Sequence, residues 1–485
     1  VANALNSEIP GRFKLLGFID KNNQNATKRI LNLPILGIKK NIPILLRSMN
    51  VEALIIADKS LTKEDQSVIV EECIEYNIKI YTLPVIADWD DQKEISKNIK
   101  SFEIQDLLER KPIVLDTNSI SSNLFNKTIL VSGAAGSIGS EIVRQVLTFN
   151  PKKIIILDQA ETPLHTLSLE IFNLDNDIDY KTIISDIKDY EILEQLFDEY
   201  RPEVVYHAAA YKHVPMMEDN PSQSIFTNVL GTKNIADLSQ KYQVERFVMI
   251  STDKAVNPSS VMGASKRIAE MYVQSKHYKY KQILNEKNTK FITTRFGNVL
   301  GSNGSVVPLF TKQIQEGGPI TITHPGVIRY FMTIPEACQL VLEACSMGNG
   351  GEIYIFDMGK PVKIIDLAKK MIRLSGLTLG KDIQIIYTGL RPGEKIHEEL
   401  LNDQENTVPT HHSKIMIGKV RDYNFESVKN DIHNLLNLYN SQNQTAIVAK
   451  MKDIVPEFIS QNSPFEHLDN KHELSDITVE KLLGK

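Results

Sequence analysis

The side chains able to do chemistry in this chain fall mainly in three stretches. The first is Gly133-x-x-Gly136-x-x-Gly139, preceded by the apolar run Lys127 to Ser132 and followed by a helical pattern, Ser140 to Leu147. Glycines let a backbone turn tightly and approach a pyrophosphate, and the free N–H groups of a helix start, here around Ser137 and Ile138, favour its negative charge. A second apolar run, Lys153 to Leu157, ends in Asp158, which lies 158 − 139 = 19 residues beyond the last glycine. A carboxylate there can accept both ribose hydroxyls of NAD and repel the extra phosphate of NADP. The second stretch is Ser251-Thr252-Asp253-Lys254, at the end of the apolar run Phe247 to Ile250, followed by Met262-x-x-x-Lys266. A carboxylate beside an amine can act as general acid and general base, provided burial or a nearby cation lowers the lysine's pKa. Neighbours in a continuous strand point to opposite faces, so both reach one substrate only where the strand ends irregularly. The third stretch, Gly297 to Pro308, is rich in small residues and backbone donors suited to a diphosphate, with Asn298, Ser305 and Val306 as candidate ligands. Thr321, Arg329 and Arg391 could add hydroxyl and guanidinium contacts.

These groups need parallel strands to present them. Short apolar runs alternate with helical patterns along most of the chain, the βαβ signature of an α/β fold. Ligands of such folds gather at the carboxyl ends of the strands. Two further strand ends therefore join the cofactor side: Asp186-Ile187 after Thr182 to Ser185, and His207-Ala208-Ala209-Ala210 after Val204 to Tyr206, with Asn228 nearby. Residues 1–100 read as a small Rossmann-like α/β domain without a phosphate loop. It enters at a helix, Val1 to Ser7, and a strand, Phe13 to Ile19, where a Rossmann unit normally has an earlier strand and glycine turn, so the domain reads as truncated at its start. Asp20 at that strand's end reads as a turn residue. Residues 101–122, with Pro112 and the polar run Asp116 to Ser122, read as a linker. Residues 123–445 read as the cofactor- and substrate-binding domain, an extended Rossmann unit with a smaller C-terminal α/β part, and 446–485 as a helical, polar tail.

Lys and Arg number 55 against 60 Asp and Glu, a net charge of −5. No dense basic run suits a nucleic acid. Three cysteines, Cys73, Cys338 and Cys345, without CxxC spacing, support neither a disulfide framework nor a metal site. No apolar run approaches the roughly 18 residues of a membrane helix.

The run from Ile129 to Glu399 resembles extended short-chain dehydrogenase/reductases, and within them the large, membrane-type nucleotide-sugar 4,6-dehydratases acting on UDP-N-acetylglucosamine. The resemblance rests on Val131-Ser-Gly-Ala-Ala-Gly-Ser-Ile-Gly139, Ala209-Ala-Tyr-Lys-His-Val-Pro215, Ser251-Thr-Asp-Lys-Ala-Val-Asn-Pro258, Arg295-Phe-Gly-Asn-Val-Leu-Gly-Ser302 and Leu390-Arg-Pro-Gly-Glu-Lys395. It implies an enzyme that moves a hydride from C4 of the sugar to NAD+, removes the C5 proton, expels the C6 hydroxyl as water and returns the hydride to C6. Asp253 would be the acid at C6, Lys254 the base at C5, and Lys266 the contact to the nicotinamide ribose. Lys212 and His213 would lie near the sugar, and Glu394 would meet ribose hydroxyls, unless it only caps a turn. Short-chain dehydrogenases carry a tyrosine where Met262 stands, and a thioether cannot transfer a proton. Thr252 is expected to relay the 4-hydroxyl proton instead. Methionine here is similar to the large subclass that retains the C5 configuration. The resemblance further implies a homodimer or larger assembly, and a cytoplasmic location, at the inner membrane where the family's N-terminal anchor is present. A UDP-sugar 4-epimerase, or an inactive NAD-binding sensor, is the alternative.

Overall fold

The apolar runs between residues 128 and 356 become strands of one sheet. In this computed structural model, β1 (Thr128–Ser132), β2 (Lys153–Asp158), β3 (Asp179–Ile184), β4 (Val204–His207), β5 (Arg246–Thr252), β6 (Lys290–Phe296), β7 (Ile353–Phe356), β8 (Thr407–Pro409) and β9 (Ile415–Gly418) lie in the order β8-β9-β7-β6-β5-β4-β1-β2-β3. β1 to β7 are parallel, and β9 and β8 add an antiparallel edge. The succession 3-2-1-4-5-6 is the doubly wound dinucleotide-binding order, with its ligand crevice at the C-terminal ends of β1 and β4, where the order reverses. Residues 2–7, 13–20, 25, 28–37, 42–58, 61–76, 78–82, 100–101, 113–174, 178–281, 288–400, 407–418, 421–441 and 443–469 are described.

Helices cover both faces of the sheet, so alternate residues of each strand enter different cores. Leu130, Ile155, Leu157, Val205, Phe247 and Met249 face one layer, which includes helices Tyr190–Tyr200, Thr232–Lys241, Val261–Lys281, Phe425–Asn437 and Gln444–Ile454. Ile129, Val131, Ile154, Ile156, Tyr206 and Val248 face the other, with helices Ser137–Leu147, Glu161–Phe172 and Ile334–Met347. The first layer corrects the reading of 446–485 as a tail, because Ile447, Val448 and Met451 are fully buried in it. The linker reading also changes at its end. Asp116 accepts a hydrogen bond from Ser119 N and starts a helix, Thr117–Leu124, that buries Ile120 and Leu124; polar composition hid an N-cap. Residues 102–112 lie outside the described residues.

The chain divides into two compact units, one of residues 112–308, 323–363 and 388–485, the other of residues 1–111, 309–322 and 364–387. The second combines the N-terminal α/β segment with two stretches assigned from sequence to the larger domain. Its core holds Ile42, Leu46, Val70, Cys73, Ile78 and Ile80, with Leu374 of the helix Ile364–Leu374 packed against it. Lys370 of that helix pairs with Glu71 at 2.6 Å, a link between residues too distant in sequence for periodicity to reveal. The expected strand Phe13 to Ile19 is narrower, Phe18–Asp20, and Asp20 accepts a hydrogen bond from Asn25 Nδ2 at 2.7 Å, as a turn residue does. Among the described residues no helix is long and apolar enough to cross a membrane.

One buried cluster fixes the end of β5. Glu270, on Val261–Lys281, accepts hydrogen bonds from Ser251 Oγ at 2.6 Å and Arg295 Nε at 2.8 Å through Oε1. Through Oε2 it accepts from Arg295 Nη2 at 2.6 Å and Arg267 Nη1 at 3.2 Å. Burial resists its charge, but Arg295, Arg267 and Ser251 together outweigh burial and hold the carboxyl down at about 2. Glu270→Ala leaves Arg295 buried without this counter-charge, and loss of about 3–5 kcal/mol is expected in urea unfolding.

Candidate active site

The glycine loop sits where β1 and β4 diverge, and each glycine has a different task. A Cβ on Gly133, whose φ is +71°, would lie 2.5 Å from Ala209 N, and one on Gly139 only 2.0 Å from Gly133 O. These two let the loop cross the Ala208–Ala210 backbone and let the helix Ser137–Leu147 pack on the loop. A Cβ on Gly136 would meet only Gly133 O, at 3.3 Å, so this position faces open space at the helix start, where the backbone of a pyrophosphate-binding loop must stay bare. Asp158 closes β2 and accepts Ala135 N at 3.0 Å and Ala160 N at 2.9 Å, one on each oxygen. Each oxygen keeps capacity for a further hydroxyl donor. The residues present therefore fit a dinucleotide.

The other expected cofactor contacts divide. Ile187 packs its side chain against Gly231, where a Cβ would come within 2.3 Å. Asp186 is engaged in its own turn, accepting Lys188 N at 3.0 Å and pairing with Lys188 Nζ at 3.1 Å. Asn228 spends its amide inside the protein: Oδ1 accepts Tyr211 N at 2.8 Å, while Nδ2 donates to Tyr211 O at 3.0 Å and Ser265 Oγ at 2.9 Å. It braces the loop that follows the alanines. His207 lies between Ser132 Oγ (2.7 Å from Nδ1) and Thr232 Oγ1 (2.9 Å from Nε2). Thr232 donates its own proton to Asn228 O, so it accepts from Nε2–H and His207 is a neutral Nε2 tautomer. Burial, with Lys266 adding to it, pushes its pKa down to about 3.

β5 ends at Thr252, and Asp253–Ala255 form a single 3₁₀ turn. That irregular end brings neighbours together as expected. Asp253 Oδ1 accepts Thr252 Oγ1 at 2.9 Å and Lys254 Nζ at 3.0 Å, while Lys254 Nζ also donates to Asn298 Oδ1 at 3.1 Å. Asp253 is buried, its Oδ2 has no hydrogen-bond partner among the described residues, and a Cβ on Gly297 would sit 3.0 Å from it. Burial raises the Asp253 pKa; Lys254 opposes this and Glu398 adds to it. For Lys254 the structure overturns the expected depression. Burial does press its pKa down, but Asp253 and then Glu398 outweigh burial, and the net direction is up. In this state Lys254 is an ammonium. Met262 is buried on the helix that begins at Val261, and Lys266 donates to Ile250 O at 2.7 Å, its pKa brought down to about 8 by burial.

On the substrate side, Lys212 Nζ donates to Asn303 O at 2.8 Å, and Asn303 N donates to Ser137 Oγ at 3.1 Å, joining the small-residue loop to the glycine loop. Gly304, at φ +70°, packs against the His213 ring. Burial, Lys212 and Arg391 together lower the His213 pKa. Ser305 Oγ is buried without a partner among the described residues, just ahead of Val306, which opens a helix. Arg329 differs from expectation. Its guanidinium is taken up by the carbonyls of Ile396 at 3.0 Å and Lys395 at 2.7 Å and by Glu394 at 3.4 Å. Glu394 in turn accepts Arg391 N at 3.2 Å and Thr323 Oγ1 at 3.1 Å, the capped turn rather than a free ribose acceptor. Arg391 is exposed. Thr321 lies in the other unit, where Gln313 Nε2 donates to its hydroxyl at 2.8 Å. Sequence reasoning passed over Glu398, whose Oε1 lies 3.5 Å from Lys254 Nζ and 3.8 Å from Arg329 Nε; it lies outside every quoted motif, and only the fold brings it to Lys254.

A family model described as polysaccharide biosynthesis protein matches residues 129–420. The capsular polysaccharide biosynthesis protein CapD of Staphylococcus aureus is 46% identical over 428 residues, 87% of this chain and 69% of that protein. The UDP-glucose 4-epimerase of Rickettsia rickettsii is 32% identical over 284 residues, 58% of this chain and 79% of the epimerase. The X-ray structure of Pen from Bacillus thuringiensis, 31% identical, superposes with a TM-score of 0.56, covering 64% of this chain and 98% of Pen.

Two outcomes follow from the site. Gly139→Ala, with nowhere for its methyl group, is expected to abolish dinucleotide binding in calorimetric titration. His207 binds a proton when unfolded below pH 6.5 but when folded only near 3. Its contribution to stability is full above 6.5 and shrinks as pH falls toward 3, by up to about 1.4 kcal/mol per unit. Urea unfolding across that range should show a shallower pH dependence for His207→Gln.

Proposed function

Because the chain belongs to the polysaccharide biosynthesis protein family, we propose that it is an NAD-dependent nucleotide-sugar 4,6-dehydratase. It converts UDP-N-acetylglucosamine to UDP-2-acetamido-2,6-dideoxy-4-hexulose with retention at C5, for 6-deoxy amino sugars of surface glycans. The observation that carries this reading is the Thr252–Asp253–Lys254 cluster around the buried Asp253, in which one carboxylate oxygen is shared by a hydroxyl and an ammonium while the other has no partner among the described residues. NAD+ bound at the glycine loop supplies the hydride chemistry, accepting from C4 and returning to C6.

The residues move protons. Thr252 already donates to Asp253 Oδ1, so it can take the 4-hydroxyl proton as it passes its own to that carboxylate. This relay needs no tyrosine at position 262. Burial raises the proton affinity of Asp253, and once protonated it delivers that proton to the departing C6 hydroxyl. The water lost thus takes its oxygen from C6 and its second hydrogen from the 4-hydroxyl. Protonating Asp253 also removes the stronger of the two charges that keep Lys254 an ammonium. Burial then favours the free amine, which can remove the C5 proton and later return it. Lys266, cationic below about 8, favours negative charge developing near the 4-oxygen.

A 4-epimerase is the second reading, favoured by the similarity to a protein of that name. It needs no proton at C6. Incubating the protein with UDP-N-acetylglucosamine in D2O separates the two. Loss of one water with deuterium at C5 is expected, and unchanged mass would overturn dehydration. Lys254→Ala should abolish C5 exchange.

A further inference from the structure

Resting on that reading, we propose that Glu398 is a positioning residue that takes a proton from Lys254, freeing its amine for C5, and gives the proton back at the end of the cycle. Lys254 enters as an ammonium and must become an amine before it can act as a base, so one proton has to leave Nζ. Three acceptors near it are Asp253 Oδ1 at 3.0 Å, Asn298 Oδ1 at 3.1 Å and Glu398 Oε1 at 3.5 Å. An amide oxygen is far too weak a base to hold a proton. Asp253 is filled at this moment by the 4-hydroxyl proton arriving through Thr252. That leaves Glu398.

Its surroundings suit the task. The side chain is buried, with its Oε1 turned toward Lys254 Nζ. Besides Lys254, Arg329 lies beside Glu398, at 3.8 Å, but that guanidinium binds Glu394 and the carbonyls of Lys395 and Ile396 more closely. Glu394 is itself paired with Arg391. Among the described residues the charged groups around Nζ are Asp253 on its own turn, Glu398 on the segment after the Arg391–Glu394 turn, and Arg329 on the short strand Ile328–Arg329. The 3.5 Å separation exceeds transfer distance, and such contacts tighten when substrate closes the site.

The protons balance. One passes from Lys254 Nζ to Glu398 Oε1; the amine then takes the C5 proton and becomes an ammonium, while Asp253 gives up its own to the C6 hydroxyl. After the hydride reaches C6, Lys254 returns a proton to C5 and regains one from Glu398. No net proton is drawn from or lost to solvent, although the Nζ protons exchange with it and so carry deuterium to C5 in D2O.

The test compares kcat between pH 6.5 and 9.5 for wild type, Glu398→Gln and Glu398→Asp, each checked for a cooperative melt and NAD binding. Glutamine cannot take the proton, so solvent must remove it. The kcat of Glu398→Gln is expected to fall by roughly 10²-fold at pH 7, to rise about tenfold per pH unit, and to recover partly with added formate, with KM changed little. Glu398→Asp should keep the flatter wild-type profile at reduced kcat. A wild-type-like pH profile in Glu398→Gln, at any level of kcat, overturns the proposal while leaving dehydration standing. If glutamine prevents folding, a steep profile in Glu398→Asp that formate does not relieve overturns it instead. Wild-type protein that releases no water overturns the dehydratase reading, and the proton-holding role with it.

Discussion

The turn of Asp253 and Lys254 depends on a buried carboxylate that lies behind it. Glu270 is buried among two arginines and a serine, and satisfying its charge fixes the end of β5, the start of the long helix and β6 against each other. An uncompensated charge there would cost several kcal/mol, so the three elements hold one arrangement. Ser251, held by Glu270, is the residue before Thr252. The 3₁₀ turn of Asp253 and Lys254 therefore leaves the strand in a direction set from behind. Lys266 sits on the same helix as Glu270 and reaches back to Ile250 O, tying the cofactor-side lysine to the same strand. Preorganisation of this kind holds the charged groups of the turn in one arrangement.

Around that anchor the charges alternate: Asp253, Lys254, Glu398, Arg329, Glu394 and Arg391, each within 4 Å of the next. The series runs from the buried turn to an exposed arginine. Its inner members exchange protons on the reading advanced above, while its outer members shape the turn. Arg329 and Glu394 look like phosphate and ribose ligands when seen in sequence, because guanidinium and carboxylate are the groups such ligands use. In the folded chain each already has its partners.

The sequence made much of this readable. Strand, glycine turn, helix and acid at fixed spacing can hardly be arranged otherwise, and the βαβ alternation carries the parallel sheet with it. Thr252, Asp253 and Lys254 stand out because the residues before them are apolar and those after them are not. What escaped notice depends on long-range closure. Glu398 is an ordinary acid in an acidic stretch until the fold places it against Lys254. Glu270 looks like one polar residue of a helix whose whole first half proves to be buried. The direction of the Lys254 pKa could not be read locally either, since burial and two carboxylates oppose each other and only distances decide between them. Helix Thr117–Leu124 was hidden by polar composition, and the grouping of 309–322 and 364–387 with the N-terminal segment by their distance along the chain.

The segment 459–463 is stitched to the residues that follow Lys254 and to the Arg391–Glu394 turn. Ile459 N and Gln461 N donate to Pro258 O and Ser259 O, Gly393 N donates to Gln461 O, and Ser463 Oγ donates to Glu218, which also accepts from Val261 N. The turn after Lys254 and the Arg391–Glu394 turn are thus pinned by a stretch more than two hundred residues later than Lys254.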